Sequence, residues 1–361
     1  MARHNETFRT ALALARAPIL AIVAAFAAAG CGDTQGTGID AGTSDTDTDT
    51  DADSDSDSDT DSDTEPQYDA GPDSGPGADL VGRWGALINV TIIQEVGIPL
   101  VPADQWVASR NFYLVTLTTD GAGNLTAHEK LCALKLKVRA CGLEFGNNTS
   151  GVSQNFVDHV GINERHVTVA SSAPGTPWVS DIVYEVRGAN LCNGECNPEV
   201  DTECDPLPAN DSAGEDDGTP CGGECTGSQC DQDEDGHPGM TDTLMGLLNC
   251  DTYVAQRWWA RLDGEIVNAD EISGAVVDNF TEQTVLAATS VCDTGSPDTR
   301  SEECPAHQYF KMVRLDDDAS CEDVLLLTDC DEDPAICDSN AVGPLDPKND
   351  NEADCPDDGC D

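Results

Sequence analysis

The sequence predicts an all-β fold. Three observations carry this: short runs in which apolar and polar side chains alternate, as in Ile88-Asn-Val90-Thr-Ile92; turn-forming Gly, Asn and Asp between such runs; and no long run with apolar residues at helical spacing. Many short strands of this kind close into a barrel or stack as a β-sandwich, and both architectures fit. The β-rich part spans residues 80–345, enough for one large domain. It holds a disulfide-rich acidic insert at 190–250, follows an N-terminal linker, and precedes an acidic cysteine-containing tail at 346–361.

Residues 1–30 begin with Arg3, Arg9 and Arg16, continue through an apolar run from Ile19 to Ala29, and end in small residues. This is the pattern of a secretory signal, and the apolar run is too short to span a bilayer. The segment ends at Ala28-Ala29-Gly30-Cys31, which resembles the lipobox of bacterial lipoproteins. The resemblance implies cleavage before Cys31 and acylation of its thiol, so the membrane partner is reached through a lipid anchor. Gly32 at the next position, with Asp33 one place later, leans toward the outer membrane or cell surface; the inner-membrane face or plain secretion are the alternatives.

From Asp33 to Asp79 there are 16 acidic residues and no Lys or Arg, with Asp at every second position from Asp45 to Asp63. Period two suits a strand, but nothing apolar is present to bury, and the composition predicts a disordered, self-repelling tether. Fully extended it reaches about 150 Å. The whole chain carries 17 basic against 69 acidic residues. Nucleic acid is thereby excluded as a partner class, and divalent cations or basic surfaces are favoured.

Strands are expected around Ile88–Ile92, which reads as half-buried, then at Asn111–Thr119 with Tyr113, Val115 and Leu117 inward. The turn Asp120-Gly-Ala-Gly123 leads into Lys130–Arg139. There Leu134, Leu136 and Val138 share one face, and Lys135, Lys137 and Arg139 form a solvated basic stripe on the other. Further strands are expected at His166–Ala170, Trp178–Arg187, Thr252–Leu262, Ile272–Val277, Thr284–Ala288 and His307–Leu315.

Of 17 cysteines, 16 remain once Cys31 is set aside, an even number suited to disulfides in an oxidising compartment. Nine lie between Cys132 and Cys250 and seven between Cys292 and Cys360. Full pairing therefore needs at least one bridge between the two groups, which makes them one unit. Cys192-Asn-Gly-Glu-Cys196 and Cys221-Gly-Gly-Glu-Cys225 repeat one pattern; zinc is the rival to disulfides there, but its sites favour Cys-x-x-Cys pairs.

The insert ends in Asp231-Gln-Asp-Glu-Asp-Gly-His-Pro-Gly-Met-Thr-Asp242. Asp231, Asp233 and Asp235 stand at positions one, three and five before the turn at Gly236, with the carbonyl of His237 at seven and Asp242 at twelve. Hard oxygen ligands in this order suit calcium, and the loop resembles EF-hand and thrombospondin-type calcium loops. The resemblance implies a structural calcium ion held with an affinity of about 0.1–1 mM, typical of extracellular modules. No amphipathic helix precedes the loop, so a lone site is expected.

Gly82-Arg-Trp84 resembles the opening of lipocalin-like barrels. That resemblance implies a Trp84 packed at the closed end against a basic residue of the last strand, a place Arg314 fills.

Catalytic motifs are sparse. Asp293-Thr-Gly-Ser296 occurs once and runs into a polar loop, whereas an aspartic protease needs two such carboxylates. His159 and His166, with Glu164 between them, lack the spacing of a helical zinc motif. Arg257, Trp259 and Arg261 fall on one strand face with Trp258 on the other; Trp flanked by Arg is suited to stack on a saccharide ring or other planar ligand, but the favoured reading is two Trp packing on opposite faces of a covered sheet. The expected function is an exported, lipid-anchored surface binding or adhesion protein; a lipocalin-like carrier of a small apolar ligand and a hydrolase of undetected type are the alternatives.

Overall fold

The computed structural model describes residues 77–95, 104–140, 148–198, 200–209, 219–222, 225–245, 250–289, 295–302, 304–328 and 345. The signal segment, Cys31, the linker to residue 76, Asp293 and the tail 346–361 lie outside the described residues.

The described chain is mostly β-structure built on one large antiparallel sheet. Strands β1 (Gly82–Glu95), β2 (Asp104–Thr119) and β3 (Asn124–Ala140) form a meander. Next come β4 (Asn148–Val152), the short helix α1 (Gln154–His159), β5 (Asn163–Thr168), β6 (Pro177–Val179) and β7 (Val183–Arg187). The insert contributes β8 (Ala189–Asn190) and β9 (Ser228–Gln229). The chain returns to the large sheet with β10 (Met240–Met245), β11 (Cys250–Asn268) and β12 (Glu271–Ala288). It ends with β13 (Asp298–Ser301), β14 (Tyr309–Arg314) and the helix α2 (Cys321–Leu326).

Pairings run β1–β2–β3–β4–β10–β11–β12–β14 and back from β14 to β1, a circuit of antiparallel neighbours. Strand β3 forks: residues 135–138 pair with β4, and residues 124–129 pair with β5. On the far side β11 pairs successively with β10, β7 and β6.

Alternation sets what faces inward. Trp84, Ala86, Ile88, Val90 and Ile92 of β1 join Tyr113, Val115 and Leu117 of β2 in one apolar cluster with Trp258, Leu262, Phe310 and Met312. On β3 the parity switches partway. Phe112 opposes Ala133 while Tyr113 opposes Leu131, so Cys132 is an extra residue in a β-bulge. Leu125, Ala127 and Leu131 therefore point inward before the bulge and Leu134 after it. Cys132 faces outward and bridges to Cys321 on α2. That bond is one link between the two cysteine groups, of which parity required at least one. It fixes α2 over Leu87, Phe112 and Leu114, with Val324 packed among them.

Strand β1 is buried on both faces over most of its length, not half-buried. Asn89 and Thr91 lie on its outer side, yet both are shielded by a 3-10 turn at Pro305–His307. Asn89 Nδ2 and Thr91 Oγ1 donate to the His307 carbonyl at 2.7 and 3.0 Å. Burial of these two donors is tolerable because each is hydrogen-bonded, while Asn89 Oδ1 is buried without a protein partner.

Two ion pairs are sealed between β3, β5, β7 and β11. Arg165 Nε donates to Glu129 at 2.7 Å, and Arg187 Nε donates to Glu185. The Arg187 guanidinium also donates to Gln256 at 3.4 Å and Asn111 at 3.3 Å, and lies over the rings of Phe156 and Trp258. The Tyr113 hydroxyl is buried nearby, and desolvation together with Glu185 pushes its pKa well above the ordinary tyrosine range.

Candidate metal centre

Three disulfides pin the insert: Cys192–Cys225, Cys196–Cys204 and Cys221–Cys230. Both copies of the repeated Cys-x-Gly-Glu-Cys pattern are consumed by these bridges, which removes their thiolates as zinc ligands. All ten described cysteines are disulfide-bonded. Main-chain bonds then close the acidic loop on itself. Gly239 N donates to the Cys230 carbonyl at 2.7 Å, and Gln232 N to the Gly239 carbonyl at 2.9 Å. Gly239 has φ +90° and sits so close to β11 that a Cβ would lie 2.5 Å from the Val254 oxygen. Only glycine fits there. Gly236, φ +88°, makes the turn that folds the loop back.

Within this loop one carboxylate oxygen each from Asp231, Asp233 and Asp235 lies within 4.8 Å of the others. Asp231 accepts from Asp235 N at 3.2 Å and from Gly236 N at 2.9 Å, so the turn aims it inward. Asp235 is exposed and accepts from His237 N at 2.8 Å and Thr241 Oγ1 at 2.7 Å. Asp233 is only 2% exposed; its Oδ2 accepts from Thr241 N at 3.1 Å, while its Oδ1 is buried with no partner among the protein atoms. Desolvation, then the Asp235 charge, pushes the Asp233 pKa up. A buried carboxylate with an orphaned oxygen beside two like charges is costly without a cation, and a calcium ion fits this donor set.

One expected ligand lands elsewhere. Asp242 belongs to β10, which is part of the large sheet and not of the insert. Because strand residues alternate in direction, Thr241 and Thr243 face the outside while Asp242 lines the interior cavity. Position twelve thus cannot close the site as it does where a helix follows the loop. His237 stacks its exposed ring on Tyr253, centroids 4.3 Å apart.

Sequence spacing gave no hint of the neighbours that β4, α1 and β11 bring in. Ser153 Oγ donates to Asp233 Oδ2 at 3.4 Å, Asn155 Nδ2 donates to the Asp233 carbonyl, and His159 Nε2 lies 3.5 Å from Glu234. A broad groove of about 730 Å³ opens beside the loop, walled by Asn155, Asp235, His237, Thr243, Asp251 and Tyr253 among others.

The other sequence candidates separate. Arg257 is fully buried beneath the insert, donating to Cys204 Sγ at 2.7 Å and to the Asp205 carbonyl. Trp259 is 3% exposed, packed between Tyr184 and Phe280. Arg261 pairs with Asp278 at 2.8 Å. A saccharide cannot stack on a ring covered on both sides, so this face is a packing surface, not a platform. Trp84 and Arg314 do meet: they are register partners on β1 and β14, with the guanidinium 4.5 Å from the ring centroid. Arg314 also donates to the carbonyls of Val81 and Ala269, each at 3.1 Å.

The interior holds a cavity of about 60 Å³ lined by Ile92, Leu134, Met240 and Trp258 together with Asn111 and Arg187. Glu302, Cys304 and His307 also cluster, with His307 Nδ1 3.0 Å from Glu302, but Cys304 is disulfide-bonded and has no thiolate to offer. Lys135 of the basic stripe lies 5.7 Å from the Phe112 ring centroid. No helix among the described residues is long and apolar enough to cross a membrane. No protein-family model matches the chain, and no curated protein or solved structure does either.

Proposed function

We propose that the chain is an exported, lipid-anchored surface binding protein. Its eight-strand circuit, with Arg314 seated on Trp84, is read as a lipocalin-like barrel used as a rigid, filled scaffold, and a calcium-ordered loop on its wall presents the binding face. The observation that carries this reading is the buried, unpartnered oxygen of Asp233 among the carboxylates of Asp231 and Asp235; Asp233 and Asp235 also line the groove. Calcium held by these three, with the His237 carbonyl, neutralises the loop and fixes its geometry. The acidic linker stands the domain away from the membrane in which acylated Cys31 sits.

The carrier alternative has less support. Pockets for small molecules occupy roughly 300–1,000 Å³, whereas the interior cavity measures about 60 Å³ and has Arg187 in its wall.

Native mass spectrometry of the mature, unreduced protein taken from membranes tests the reading. The expected mass is that of a chain beginning at acylated Cys31 with no free thiol and, in calcium at a few times the expected dissociation constant of about 1 mM, one bound calcium ion. An N-terminus without lipid, a thiol that labels, or a chain that binds no calcium there contradicts it.

A further inference from the structure

We infer that the groove beside the loop binds a neutral saccharide chain, whose hydroxyls complete the coordination of the ion held by Asp231, Asp233 and Asp235; this rests on the calcium reading above. Calcium takes six to eight oxygen ligands. Three carboxylates and one carbonyl do not fill that number, and Asp242, the residue that would close the set from position twelve, faces the interior cavity. The remaining positions are left to oxygens arriving from the groove.

The groove selects which oxygens. Asp233, Glu234, Asp235 and Asp251 line it, and no Lys or Arg is among its described residues. Even with a divalent cation bound the wall stays negative, which repels phosphate, sulfate and carboxylate ligands. Hydroxyl pairs on a sugar are uncharged, chelate a hard cation, and donate to nearby carboxylates. The exposed His237 ring, held flat on Tyr253 at an interplanar angle of 20°, offers a surface beside the ion against which the C–H face of a pyranose packs. Ser153 and Asn155 also line the groove, their side chains bonded to Asp233.

Probing the mature, full-length protein on a printed array of neutral, basic and anionic glycans, with calcium, with EDTA and as the Tyr253→Ala variant, which removes the ring that holds His237 flat, tests this. The expected result is binding to neutral glycans that falls at least tenfold on chelation and in the variant, while the variant retains calcium by native mass spectrometry. If calcium is retained but no glycan binds, the saccharide inference falls and the metal site stands. If no calcium is retained, both fall. Binding that survives EDTA, or binding confined to anionic or basic glycans, overturns the inference as well.

Discussion

Replacing Arg187 with Met destabilises the domain by about 3–5 kcal/mol, because it leaves Glu185 charged and buried without its partner. Arg187 is 1% and Glu185 6% exposed, so water cannot take over. The substitution also removes donors from Asn111 and Gln256 and the cation between Phe156 and Trp258. The double variant Glu185→Gln/Arg187→Met is expected to lose much less than the single one, since no net charge stays buried. Urea unfolding of these two and of Glu185→Gln alone, read with wild type as a double-mutant cycle, should give a coupling of about 1–3 kcal/mol. Equal losses in Arg187→Met and the double variant would mean that lost packing, not an uncompensated charge, is the cause.

The second large effect is expected at Cys132–Cys321, whose residues are 189 apart in sequence. Cross-linking so long a segment restricts the unfolded chain strongly, and removal of such a bridge costs on the order of 4 kcal/mol. Cys132→Ala/Cys321→Ala should therefore unfold at markedly lower denaturant and, below the transition, bind a hydrophobic dye. The dye reports Leu87, Phe112 and Leu114, the surface that α2 covers. A loss under about 1 kcal/mol with no dye binding would show that the packing of Val324 holds α2 without the bond.

Strand positions were legible wherever period-two alternation survives, as along β1, β2 and the second half of β3. Elsewhere the signal breaks for identifiable reasons. Strand β12 was expected as two strands, Ile272–Val277 and Thr284–Ala288; Asp278 between them adopts φ +49°, but pairing with β11 continues across a register shift there. Strand β10 was hidden inside a metal-ligand pattern, so Asp242 was counted as a ligand when the pleat turns it inward. The Trp259 face illustrates a different limit. Alternation says which residues share a face, but what covers that face comes from Tyr184 and Phe280, and for Arg257 from the insert at Cys204–Asp205. The carboxylates of the loop were legible because their spacing is local. Ser153, Asn155 and Tyr253 were not, since only the forked strand β3, α1 and β11 bring them to the loop.

If the Asp231–Asp235 cluster is built for a cation, the Asp233→Asn substitution changes the sign of its effect on stability when calcium is added. Without an ion, the carboxyl has a raised folded pKa, so the unfolded chain gives up this proton first. The protonated form therefore favours the fold at low pH, and that contribution is lost as pH rises through the folded pKa. Asparagine, uncharged at every pH, should then make the chelated protein more stable than wild type at neutral pH. In calcium the order should reverse, because ten times the dissociation constant adds about 1.4 kcal/mol to a protein whose folded state alone binds the ion, and the variant lacks a ligand. Melting temperatures of both proteins at pH 7, at fixed ionic strength, in EDTA and in excess calcium decide it. The account predicts that the variant melts higher in EDTA and lower in calcium; the same order in both conditions would contradict it.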